Sequence, residues 1–81
     1  MVITVKLFGP EAEITGLSQV SLKLDDAATC GQLRTALGKH EPSLATRLPA
    51  CRFAVNHEFV GDDTPLHVDD EVALIGLVSG G

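Results

Sequence analysis

The chain of 81 residues has room for one domain with a modest core, so it is expected to work by presenting a surface to something larger. With 44% hydrophobic residues, no Trp or Tyr and three Phe (Phe8, Phe53, Phe59), its core should be mostly Val, Leu and Ile. A net charge of -5 opposes phosphate backbones and anionic lipid, which excludes nucleic acid and membrane surfaces as expected partners and favours a basic protein surface.

Val2, Ile3, Val5, Leu7 and Phe8 form a β-rich run that stops at Gly9-Pro10, and Val20, Leu22 and Leu24 alternate with Ser21 and Lys23. The two runs predict a hairpin joined through the Gly16 region. Asp25 and Asp26 close the second strand. Thr29 and Gln32 then fit a capping box, in which each side chain satisfies an orphan amide of a first helical turn. Leu33, Ala36 and Leu37 recur at helical spacing, which predicts a helix packed on the sheet, with Gln32, Arg34, Thr35 and Lys39 facing water. Glu41-Pro42 interrupts it, and Pro42 opens a short second turn carrying Leu44 and Leu48.

Past Pro49 the strand period returns in Cys51, Phe53 and Val55. Asn56-His57 reads as a tight turn into a short return strand at Phe59-Val60. Gly61 to Leu66 reads as a loop, and Asp69-Asp70 as a turn into a last strand, Glu71 to Ile75. The order is two strands, a helix, two strands and a final strand.

Cys30 and Cys51 are the only cysteines and form no CxxC motif, so they are expected to be buried free thiols in a reducing cytoplasm. An electron-transfer cluster would need four such ligands. No signal peptide is expected before Val2, and no apolar run approaches a membrane span. His40, His57 and His67 are too scattered for a metal motif and read as surface or turn residues.

The chain runs from its last strand to Val78-Ser79-Gly80-Gly81. Glycine costs more backbone entropy to order than any other residue, so a paired glycine end suits a backbone that must enter a narrow place. From Ile75 to Gly81 the extended reach is roughly 20 Å, enough to place the end in a neighbour's site while the domain stays outside.

The order of elements, the segment AVNHEFVGDDTPLHVDDEVALI (Ala54 to Ile75) and the Val78-Ser79-Gly80-Gly81 end resemble ubiquitin-like sulfur carriers of the MoaD/ThiS type, specifically the small subunits of molybdopterin synthase. The resemblance implies an α+β fold of the β-grasp class, a mixed sheet packed on one main helix. Residues 1–75 would be the domain and 76–81 a flexible tail. It also implies a role in molybdenum cofactor biosynthesis. An E1-like adenylating enzyme would activate the Gly81 carboxylate with ATP. A sulfur donor protein would then displace AMP to leave a thiocarboxylate, and the tail (Val78, Ser79, Gly80) would enter the large subunit of a heterotetrameric synthase to deliver sulfur to a pyranopterin precursor. No cofactor or metal would be bound, and the subunit would not be catalytic alone.

By position in the family, Phe8, Phe59 and Ile75 match an apolar docking patch. Phe8 and Ile75 lie in runs of ambiguous alternation that read equally as core, whereas Phe59, just past a turn, reads as interface. Asp62, Asp63, Asp69, Asp70 and Glu71 read as solvated loop charges that could steer a basic partner. Such carriers commonly have two prolines before the V-[ST]-G-G end, where this chain has Gly76-Leu77, so the start of the tail is expected to lack that stiffening. Three alternatives remain open: sulfur destined for thiamine, cysteine or transfer-RNA thiolation, a ubiquitin-like modifier joined to lysines, and an interaction domain whose tail is incidental.

Overall fold

The structure, a computed structural model, describes residues 1–76. Val78, Ser79, Gly80 and Gly81, the expected reactive end, lie outside the described residues.

Strand β1 (Val2–Leu7) turns Ile3, Val5 and Leu7 into the core and leaves Val2 and Lys6 in solvent, the period-2 alternation of a half-buried strand. It pairs antiparallel with β2 (Gln19–Lys23), whose Val20 and Leu22 are buried. The pairing is the one expected, but the connection is not a plain turn. Helix α1 (Gly9–Thr15) fills it, with Pro10 in the first turn, where a missing N–H costs nothing. Gly16 ends the helix in the left-handed region (φ 72°), its N–H donating to the Ala12 carbonyl at 2.8 Å. The buried residue of α1 is Glu11, so hydrophobic periodicity does not announce this helix.

Helix α2 (Cys30–His40) begins as expected. The Thr29 hydroxyl accepts from the Gln32 amide (3.2 Å), and the Gln32 side-chain oxygen accepts from the Thr29 amide (2.8 Å). The Thr64 and Asp62 carbonyls accept the amides of Cys30 and Gly31, both at 2.9 Å. Cys30, Leu33 and Leu37 form the buried stripe. Arg34 departs from expectation, because it does not simply face water. Position 34 borders that stripe, and its long side chain lies back over the protein. The guanidinium donates to the carbonyls of Leu48 and of Cys51 (2.9 Å), pairs with Asp62 (2.9 Å) and sits 5.2 Å above the Phe53 ring.

Two single 3-10 turns, Pro42–Leu44 and Leu48–Ala50, replace the one turn expected, and each buries its leucine. β3 (Cys51–Val55) and β4 (Glu58–Val60) form a hairpin closed by Asn56 and His57, with φ of 51° and 70°. Two left-handed residues make the turn whose twist matches a hairpin, and Asn tolerates that region better than most residues.

β5 (Val72–Gly76) runs parallel to β1 and antiparallel to β3, giving the sheet order β2-β1-β5-β3-β4. Leu33, Leu37, Leu44, Leu48 and Leu66 meet the inner faces of the strands, and Phe53 is the buried aromatic of that core. A mixed five-stranded sheet wrapped over one main helix is the β-grasp fold. β5 reaches Gly76, one residue beyond the expected domain boundary.

Candidate functional site

The face of the sheet turned away from α2 holds the candidate contact residues. Cross-strand register places Ala54 beside both Phe59 and Ala73, Ile75 beside Arg52, and Lys6 beside Ala73. These residues alternate with the buried set Val5, Phe53, Val72 and Leu74, so they share the outward side. Phe59 is 55% exposed and Phe8 52%, while Ile75 is half-buried. Phe8 continues β1 in extended backbone (φ -138°, ψ 161°) past Leu7, itself paired with Leu74, so alternation puts it on the same side as Ile75. None of the three is core.

Arg52 was not singled out by the sequence, yet its guanidinium lies 4.7 Å from the centroid of the Phe59 ring. That contact adds a cation to the apolar patch. The acidic chain therefore sets two basic side chains, Lys6 and Arg52, beside the apolar residues of this face.

Residues of the Ala54 to Ile75 segment explain how the face is fixed. The Asn56 amide donates to the Glu71 carbonyl (2.8 Å), and the Glu71 amide to Asn56 Oδ1 (2.9 Å). Asn56 Nδ2 donates to one oxygen of Asp70 (3.0 Å), and the His67 amide to the other (2.7 Å). The hairpin turn is thus tied to the entry of β5. Asp70, expected as a solvated loop charge, is instead the hub of this network, with a side chain 12% exposed. Asp62 likewise belongs to the Arg34 pair.

The hydrogen bond from the His67 amide, with Asn56 adding to it and partial burial opposing it, holds Asp70 below the usual carboxylate range. The Lys6 ammonium, 2.8 Å away, does the same for Glu71. Both folded-state values lie below the unfolded ones. Their contribution to stability is therefore complete above the unfolded value, near 4, and drains away as pH falls through the lower folded values. Urea midpoints should be level near neutrality and fall in acid below about pH 4. Asp70→Asn should lower the neutral plateau and make the acid limb shallower; an unchanged limb would remove Asp70 from the account.

Cys30 and Cys51 are buried free thiols, as expected. Burial pushes both thiols up, aided by Asp62 at Cys30 and by Glu11 at Cys51, so they stay protonated at neutral pH. Among the described residues no cluster of His, Cys, Asp and Glu could hold a metal ion, and no helix is long and apolar enough to cross a membrane.

The end of β5 has one more unusual feature. Glu11 is 1% exposed, and its carboxylate accepts from Arg47 Nε at 2.9 Å. A Cβ placed on Gly76 would lie 2.5 Å and 2.7 Å from the two carboxylate oxygens. The carboxylate occupies the volume a side chain at 76 would need. No hydrophobic pattern could have marked Glu11 or Arg47; only the missing side chain at Gly76 hinted at a close approach.

The β-grasp domain thus carries an exposed apolar face beside its last strand. Residues 5–81 match the ThiS family, and the chain belongs to that family. It is similar to the molybdopterin synthase sulfur carrier subunit of Chlamydomonas reinhardtii, 34% identical over 83 residues and covering all of both chains. Among solved structures it resembles SAMP1 from Haloferax volcanii (29% identity, TM-score 0.89, all of both chains). It also resembles a chain of the protein-protein complex of subunits 1 and 2 of the molybdopterin-converting factor from Helicobacter pylori (26% identity, TM-score 0.70, all of both chains).

Proposed function

We propose that this protein is the sulfur carrier subunit of a molybdopterin synthase. The observation that carries the reading is the continuity of the exposed apolar face with β5, the strand that leads into the Gly80-Gly81 end. The kinship with carrier subunits, and a structural neighbour whose title describes a two-subunit complex, support it.

A carboxylate resists nucleophiles, so Gly81 needs activation. In the proposed cycle an E1-like enzyme transfers AMP from ATP to the carboxylate, releasing pyrophosphate. The outer sulfur of a persulfide on the donor protein then attacks the carbonyl carbon; the carbon–sulfur bond forms as the bond to the AMP oxygen breaks, and a thiol reductant cleaves the remaining sulfur–sulfur bond, leaving a thiocarboxylate on Gly81 and a disulfide of the donor with that thiol. The face of Phe8, Phe59 and Ile75 docks to the activating enzyme and then to the large subunit. The Val78-Ser79-Gly80 approach passes the end into each active site, because glycine brings no Cβ to a tunnel visited by ATP, donor and pterin in turn. The compartment that fits two free thiols is the cytoplasm.

Intact-mass analysis of the protein from its own cells tests this. A gain equal to exchange of one oxygen for sulfur at Gly81 is expected. Isopeptide-linked adducts in its place would make the chain a modifier, and neither product would leave an interaction domain.

Docking is tested separately. Phe59→Ala should weaken binding to the large subunit by at least about 2 kcal/mol, the loss typical of a hot-spot aromatic. Unfolding free energy should change by less than about 0.5 kcal/mol, since Phe59 is a surface residue. Calorimetry of the complex and urea unfolding of the free subunit give the two numbers, and the reverse ordering would move Phe59 out of the interface.

A further inference from the structure

We infer that Glu11, held by Arg47, is a positioning residue that locks Gly76 into the sheet and so fixes the point from which residues 77–81 leave the domain. Four contacts close a ring around that point. Glu11 Oε2 accepts from Arg47 Nε at 2.9 Å; the Arg47 carbonyl accepts from Cys51 Sγ at 3.3 Å; Cys51 lies opposite Gly76 across the β3–β5 ladder; and the Glu11 carboxylate covers the Gly76 Cα.

Packing alone does not call for an acid here. Glu11 sits in α1, among residues pressed against the Pro42–Leu44 turn and the end of β5, where an apolar side chain would fill the same volume. A buried ion pair is at best about neutral in stability relative to well-packed apolar residues, so its return is a defined geometry. Arg47 is 41% exposed and anchors the carboxylate from the solvent side, while Glu11 is sealed against the backbone. Glycine at 76 completes the device, since any larger residue would evict the carboxylate. Two prolines in sequence would stiffen this exit through their own rings; here the stiffness comes from a side chain of α1, remote in sequence.

This inference rests on the carrier reading for its functional consequence but not for its structural one. If the exit is fixed, the end is presented to an activating enzyme at lower entropic cost than if Gly76 were free. The experiment therefore has two readouts on the full chain: the backbone order parameter of Gly76 by ¹⁵N relaxation, and ATP–pyrophosphate exchange by the activating enzyme with the carrier as substrate. In the unmodified protein Gly76 should show the order of rigid backbone, about 0.85. Glu11→Ala should drop it below about 0.6 while Val72 to Leu74 stay rigid. The same variant should raise KM for the carrier about five-fold, the effect of one newly freed backbone position, with kcat unchanged. Glu11→Gln keeps the acceptor for Arg47 and the shape over Gly76, so it should restore both values. Should Glu11→Ala fail to fold, Glu11→Leu, which exchanges the ion pair for apolar volume, supplies the KM comparison. A rigid Gly76 in folded Glu11→Ala, or an unchanged KM in Glu11→Leu, would overturn the inference. An unmodified chain that supports no pyrophosphate exchange would count against the carrier reading, and the order parameter would still decide the role of Glu11.

Discussion

Removing Gly81, or adding one residue after it, should abolish sulfur transfer while leaving thermal stability and docking almost unchanged. The stability half follows from where the energy lies. Among the described residues the core runs to Leu74 and the ladder to Gly76, five positions short of the residue removed. The activity half follows from the chemistry. Adenylation needs a free carboxylate at the end of a side-chain-free approach, and truncation shortens the reach by about 3.5 Å while exposing the carboxylate of Gly80 in the wrong place. A misplacement of even about 1 Å at a reacting group can cost a hundred-fold in rate, so a whole residue should take the signal below detection. Pterin formation in vitro, measured beside melting temperature and large-subunit affinity, checks both halves. Sulfur transfer by the truncated chain would end the carrier reading.

Arg34→Ala should cost about 3 kcal/mol of unfolding free energy, the largest loss expected from any change at a charged residue outside the Glu11 pair. The substitution strips donors from the Leu48 and Cys51 carbonyls, opens the pair with Asp62 and uncovers one face of Phe53. Hydrogen bonds from a charged donor are worth about 1.5–3 kcal/mol each, and relaxation and water recover part of the sum. Arg34→Lys keeps the charge but has no planar fork to reach two carbonyls and a carboxylate together, so it should recover less than half of the loss. Urea unfolding of the three proteins decides it. A loss under about 0.5 kcal/mol would return Arg34 to the solvated face that helical periodicity assigned to it.

The parts of the fold that were legible in the sequence are those whose cause is local. Thr29 and Gln32 announce a helix because the capping box needs only three residues of spacing. Asn56-His57 announces a hairpin because left-handed backbone narrows the residue choice. Alternation in β2 and β3 shows which side chains turn inward. The illegible parts depend on neighbours remote in sequence. Phe8 and Ile75 could not be assigned to core or surface until the parallel pairing of β1 with β5 set which side of the sheet each occupies. Arg34 looked like a water-facing helix residue because its three partners come from Leu48, Cys51 and Asp62. Helix α1 was missed because a buried glutamate stands where periodicity looks for an apolar residue, and Arg47, which makes that burial tolerable, lies outside the helix. The exposure of Phe59 was readable from its place just past a turn, but Arg52 over its ring was not.

The position of β5 in the middle of the sheet also governs when the protein can fold. Val5 pairs with Val72 and Leu7 with Leu74, so the central seam joins opposite ends of the chain. Until residues 72–76 leave the ribosome, the β1–β2 hairpin and the β3–β4 hairpin have no strand between them and no shared inner face to cover α2. Contacts of such long sequence separation slow folding, because the loop must close before the contact rewards it. The outer face of the sheet is assembled across the same seam, where Lys6, Ala54, Ala73 and Ile75 come together. A nascent chain therefore cannot complete that face until residues 72–76 are in place, whatever the state of its two hairpins.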